Sequence, residues 1–274
     1  MTTKGDSATM QKKRYISLAI FFISFLALPV GAMAEEAQDR GREIALEADR
    51  RDQGFGDFTG ELTMVLRDRQ GREVERALRS RNLEVEDDGD KTMIIFDSPP
   101  DVEGTALLVH SHKTGDDDLW LYLPALKRVK RISGSNKSGP FMGSEFAYED
   151  LSSVEVEKYR HRFLREDELD GEAVYVVERI PLDERSGYTK QVVFFDRDDY
   201  RTLRVDYFDR KGELLKTLRQ RDYELYLEKF WRPHVLEMVN HQTGKESELR
   251  WSGLEFQTGL TERDLDQASL RRVR

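Results

Sequence analysis

FTGELTMVLRDRQGREVERALRSRNLEV, residues 58–85, alternates apolar and polar side chains with a period of two. Phe58, Leu62, Met64 and Leu66 fall on one face, and Thr59, Glu61, Thr63 and Arg67 on the other. Successive side chains of an extended chain point to opposite faces, so this pattern specifies a half-buried β-strand rather than a helix. Asp68-Arg69-Gln70-Gly71 has the composition of a turn, and a second strand follows over 73–85. Asp87-Asp88-Gly89-Asp90 turns the chain again into Thr92–Phe96. Pro99 and Pro100 end that strand, because proline cannot donate to an interior ladder.

The same period continues to Phe256. It predicts strands at Ala106–His112, Leu119–Leu123, Arg128–Ile132, Tyr159–Leu164, Ala173–Ile180, Gln191–Asp196, Thr202–Phe208, Leu214–Leu225, Trp231–Asn240 and Ser247–Phe256. About a dozen strands joined by tight turns, with no helices between them, predict a mainly β protein whose antiparallel sheet curls into a barrel or half-barrel. Parallel βαβ architecture is excluded. Helical spacing is confined to the flanks. Residues 36–51 carry Ala37, Gly41, Ile44, Ala45 and Ala48 near one face, and Thr261 can cap a short last helix with Leu265 and Ala268 facing inward.

Two segments depart from alternation. Asp118-Leu119-Trp120-Leu121-Tyr122-Leu123-Pro124 is apolar on both faces, which places it in the middle of the structure. Residues 133–153 form a long connection too rich in aromatic residues for disorder.

The N-terminus indicates a compartment. Lys12, Lys13 and Arg14 precede an apolar run from Tyr15 to Val30, followed by Ala32-Met33-Ala34, the layout of a secretory signal peptide. Cleavage after Ala34 is expected, with 1–34 removed, 35–274 the single mature domain and Met10 an alternative start. The competing reading is an uncleaved anchor. The chain has no cysteine, and hence no lipid-attachment thiol, disulfide or thiolate metal site. Its 44 basic and 53 acidic residues give a net charge of −9. Loss of four Lys/Arg and one Asp with the leader leaves 40 against 52, or −12, a surface that repels nucleic acid and anionic bilayers.

WLYLPALKRVKRI at Trp120–Ile132 and SNKSGPFMGSEFAYEDL at Ser135–Leu151 resemble the LolA-like outer-membrane lipoprotein-sorting proteins, in the branch found beside exporters of the resistance-nodulation-division class. Weaker similarity runs through Pro100–Thr105 and Tyr207–Gly212, and the resemblance covers residues 35–274. It implies an incomplete β-barrel whose open, concave side is covered by helices, with an apolar cleft for acyl chains. It also implies a monomeric periplasmic carrier that takes a lipoprotein or free lipid from an inner-membrane exporter towards an outer-membrane acceptor. A lipid sensor and an accessory exporter subunit are the alternatives on the same scaffold.

An acyl chain leaves water for such a cleft without any reactive group, at about 0.8 kcal/mol per buried CH₂. Adaptable methionine and aromatic surface suits this role. The candidate lipid contacts are Leu62, Met64, Leu66, Met93, Ile95, Trp120, Tyr122, Phe141, Met142, Phe146 and Tyr148, with a closed core as the competing reading. Phe141, Met142 and Phe146 sit beside Gly139, Pro140 and Gly143, a composition that suits a movable lid or a fixed plug. Lys127, Arg128, Lys130, Arg131 and Lys137 form a basic cluster suited to a headgroup or an acidic partner, or to protection of an edge strand. His110, His112 and Asp116–Asp118 do not make a convincing metal site, and no cofactor is expected. The chain has no nucleophile elbow, metalloprotease helix, phosphate loop or dinucleotide fingerprint, so an enzyme is not expected.

Overall fold

The structure is a computed structural model that describes residues 1–3, 5 and 30–273. Most of the expected leader therefore lies outside the described residues. Helix α1 (Val30–Asp52) is followed by β1 (Asp57–Arg67), β2 (Glu73–Leu83), β3 (Lys91–Ser98), β4 (Ala106–His110), β5 (Asp118–Leu123) and β6 (Arg128–Ile132). After a long connection come β7 (Tyr159–Leu169), β8 (Glu172–Pro181), β9 (Lys190–Asp196), β10 (Thr202–Phe208), β11 (Leu214–Tyr226), β12 (Phe230–Asn240) and β13 (Glu246–Phe256). Each expected strand has its counterpart.

All thirteen strands join one antiparallel sheet in the order β6-β5-β4-β3-β2-β1-β13-β12-β11-β10-β9-β8-β7. It consists of two meanders sewn together where β1 pairs with β13, Phe58 standing opposite Phe256. The sheet does not close: β6 and β7 are its free edges. The result is an open, curved half-barrel. Gly60 sits at a bulge in β1, where a Cβ would come within 2.6 Å of Leu254. Strand β7 runs beyond its expected end at Leu164, because 165–168 are polar on both faces and show no alternation. Asp170 (φ 52°) and Gly171 (φ 89°) then form the tight two-residue turn into β8.

The main core lies on the concave face, where Leu62, Met64, Leu78, Phe96, Leu107 and Leu121 pack together with rows from the second meander. A second cluster lies on the opposite face: Met93, Ile95, Ala106 and Leu108 are sealed under Leu265 and Leu270. Strand β5 is apolar on both faces because both are covered, Leu119 and Leu121 on one side and Trp120 and Tyr122 on the other. It is nevertheless second from the edge, and not in the middle as its composition suggests.

The C-terminal cover is a series of turns ending in a short 3-10 turn at Ser269–Arg271, not the expected capped helix. Thr261 does bond Asp264, at 2.7 Å through its hydroxyl. Without α-helical spacing, however, Leu265 and Leu270 are buried while Ala268 is exposed.

Helix α1 packs across β7. Gly41 makes the approach possible, since a Cβ there would lie 2.5 Å from the Phe163 amide nitrogen. The Arg40 guanidinium stacks 3.8 Å above the Phe163 ring and pairs with Glu166 at 2.6 Å.

Candidate functional site

A cleft of about 1440 Å³ lies between the concave face, the C-terminal half of α1 and residues 146–156 of the crossing segment. Its apolar wall follows from strand register. Val177, Val193, Val205 and Leu218 are direct partners across β8, β9, β10 and β11, and because they share one parity they form a continuous row on the concave face. Leu236 and Leu249, paired across β12 and β13, extend the wall, and Ala45, Ala48, Phe146 and Val156 line the opposite side.

The mouth is polar and mainly acidic. Burial, reinforced by Glu155 and other nearby carboxylates, raises Asp49 to about 6. Burial together with Asp52, Glu84 and Glu155 raises Asp90 to about 7. Glu47, by contrast, is held down at about 2 by hydrogen bonds from Arg50 and Arg51. Glu84 accepts the backbone N–H groups of Gly54 and Gly56 at 2.6 and 2.8 Å, tying the end of α1 to the β2 side of the mouth.

Two cations lie deep in the structure. Lys216 Nζ pairs with Asp150 at 2.6 Å, and both side chains are almost fully buried. Asp150 also accepts Ala147 N–H (2.7 Å) and the Tyr188 hydroxyl (2.8 Å), while Lys216 donates to the Glu145 carbonyl (2.8 Å). Arg179, 9% exposed, lines the cleft. Its Nε donates to Gln191 Oε1, and its guanidinium lies 5.1 Å from the Tyr159 ring centre. Beside it His161 is buried, with Nε2 3.1 Å from the Val156 carbonyl and Nδ1 lacking a partner. Burial lowers the His161 pKa, which favours a neutral ring.

The eleven side chains nominated from sequence do not gather around one space. Phe146 lines the cleft. Leu62, Met64 and Phe141 are buried in the concave core, with Leu66, Met142 and Tyr148 packed against it. Met93, Ile95, Trp120 and Tyr122 belong to the opposite face, beneath the C-terminal turns. Most of the strand-borne apolar wall comes from strands after β7, whose alternating rows look in sequence like any packing face.

The crossing segment 133–158 is fastened at many points. Phe141 is fully buried between Phe96 and Tyr148, at 5.7 Å from each ring. Arg76 donates to the Met142 carbonyl, Asn240 to Glu145, and Ser186 to Glu149. Lys127, Arg128, Lys130 and Arg131 are exposed on and beside the edge strand β6, with Arg131 paired to Asp118, whereas Lys137 pairs with Asp183 at 2.7 Å. His110 Nε2 contacts the Leu265 carbonyl at 2.7 Å, and His112 Nδ1 pairs with Asp88 at 2.7 Å.

A family model described as "Uncharacterized protein" matches residues 88–272. Comparison with curated proteins returned no match. Among solved structures, a domain from Vibrio parahaemolyticus named for outer membrane lipoprotein sorting is 56% identical, with a TM-score of 0.85 over 86% of this chain and 100% of its own. A DUF1329 family protein from Desulfovibrio piger is 30% identical, with a TM-score of 0.80 over 85% and 99%. A LolA superfamily protein from Nitrosomonas europaea shares the fold at 20% identity, with a TM-score of 0.67 over 84% and 98%. At 56% and 30% identity over almost all of both relatives, the chain belongs to the family of outer-membrane lipoprotein-sorting and DUF1329 proteins, and it has the LolA-like fold.

Proposed function

We propose that the protein is a monomeric periplasmic carrier, released from its leader after Ala34, that shields the acyl chain of a lipid or lipoprotein in the cleft under α1 and moves it from an inner-membrane exporter to the outer membrane. The observation that carries this reading is the cleft itself: about 1440 Å³ against an uninterrupted apolar row from Val177 to Leu218. Such a volume exceeds the few hundred to about 1000 Å³ of ordinary small-molecule pockets and suits a long flexible tail. Burying a chain of about fourteen methylenes gives a gross gain of about 11 kcal/mol at about 0.8 kcal/mol each, enough to hold the ligand without covalent chemistry. Lipoprotein sorting in the name of the Vibrio parahaemolyticus relative supports the same class of cargo. Of the contacts nominated from sequence, Phe146 remains in the proposed site, joined by Val193, Leu218 and Leu236.

The test is lipid recovery from protein purified out of its native envelope, followed by titration with a fluorescent fatty acid. Leu236→Glu puts a charge on the cleft wall at a half-buried position, so binding should weaken at least about tenfold while the fold is retained. No recovered lipid together with no fatty-acid binding would refute the proposal.

A further inference from the structure

We infer, resting on the carrier reading above, that the cargo ends in an oxyanion, carboxylate or phosphate, seated against Arg179. Other arginines around the cleft have carboxylate partners: Arg201 pairs with Asp196 at 2.8 Å, Arg51 with Glu47 at 2.7 Å, and Arg232 with Asp52. The buried Lys216 has Asp150. Arg179 is more buried than Arg201, Arg51 or Arg232, yet among the described residues no carboxylate forms an ion pair with it. Its neutral neighbour Gln191 takes one N–H, and the Tyr159 ring covers a face.

A guanidinium offers five N–H donors in a planar fork, so this one has donors left, and it borders the cleft. A buried cation without a counter-ion is costly, and an incoming oxyanion removes that cost by pairing through two parallel hydrogen bonds. The acidic mouth adds direction. Glu84 and Glu155 at the rim would repel an anionic head there, so the favourable place for it is inside, at Arg179. The acyl-bearing end of a lipoprotein carries amide and ester groups and no oxyanion. This seat therefore selects a free anionic amphiphile over a lipoprotein anchor.

The test titrates oleate, oleyl phosphate, methyl oleate and a synthetic triacylated lipopeptide into the wild-type protein and into Arg179→Met. The wild type should bind oleate and oleyl phosphate at least about tenfold more tightly than methyl oleate, the factor expected of one charge-assisted hydrogen bond. Arg179→Met should abolish that preference, weakening oleate and oleyl phosphate at least about tenfold more than methyl oleate. Oleate favoured over oleyl phosphate, or the reverse, assigns the seat to a carboxylate or to a phosphate. Equal wild-type affinity for oleate and methyl oleate, tightest binding of the lipopeptide, or parallel loss of all ligands with a lowered melting temperature in Arg179→Met would overturn the inference and leave the carrier reading standing. Binding of none of the four would remove the carrier reading itself.

Discussion

Replacing Lys216 with methionine measures how firmly the crossing segment is bolted to the sheet. The ammonium sits on β11, and its partner Asp150 sits on the segment, 2.6 Å away and with both side chains no more than 4% exposed. Methionine fills similar space beside the Tyr188 and Tyr207 rings, which lie 5.2 and 5.3 Å from Nζ. What remains is a carboxylate bonded, among the described residues, by Ala147 N–H and the Tyr188 hydroxyl, with the Glu145 carbonyl also losing the Lys216 donor. Breaking a buried pair from one side costs about 3–5 kcal/mol. At about 2–4 °C per kcal/mol for a domain of this size, the melting temperature should fall by about 10 °C. Lys216→Met/Asp150→Asn keeps an acceptor for the Ala147 N–H, lets its amide donate to the Tyr188 hydroxyl oxygen, and removes the orphaned charge, so it should recover at least half of the loss. Thermal and urea unfolding followed by circular dichroism give both numbers. A single-variant loss under about 1 kcal/mol, or a double variant no better than the single, would refute the reasoning and mean that the segment moves freely enough to bring water to Asp150.

Gly41→Ala tests the docking of α1. Alanine is the better helix former by about 1 kcal/mol, yet its Cβ would lie 2.5 Å from a backbone nitrogen of β7, so the variant should lose about 1–3 kcal/mol by urea denaturation. A gain would mean that the helix does not rest on that strand. Asp90→Asn tests the mouth. Asp90 at about 7 and Asp49 at about 6 hold protons in the folded chain to a higher pH than unfolded carboxylates do, so the folded state binds more protons in that window and their contribution to stability is lost as pH rises from about 4 to about 7. The urea midpoint of Asp90→Asn should thus gain on the wild type more at pH 8 than at pH 5. A constant difference would show that Asp90 is solvated.

Much of the architecture is legible in the chain because period two survives wherever one face is wet. The thirteen strands, and the double-sided apolar character of β5, can be read in this way. Alternation does not say which of two covered faces holds the cleft. Met93, Ile95, Trp120 and Tyr122 look like ligand surface for their size and softness, but one residue of parity places them under Leu265 and Leu270. The wall at Val177, Val193 and Val205 consists of ordinary β-branched core residues, no more than 2% exposed, and nothing in the sequence sets them apart from packing rows. Arg179 is one arginine among many in sequence. Its isolation from carboxylates depends on neighbours brought in by β7 and β9.

The seam between β1 and β13 joins the two ends of the strand-forming chain at the centre of the sheet, while both free edges come from its middle. A chain emerging end first can form its successive hairpins one by one, but β1 keeps a bare, largely apolar edge until β13 arrives to cover it. Pairings so distant in sequence close slowly, and an exposed edge recruits other strands in the meantime. Aggregation during refolding should therefore depend on the last strand: a chain cut before Glu246 would keep every local turn and still assemble edge to edge with its own kind.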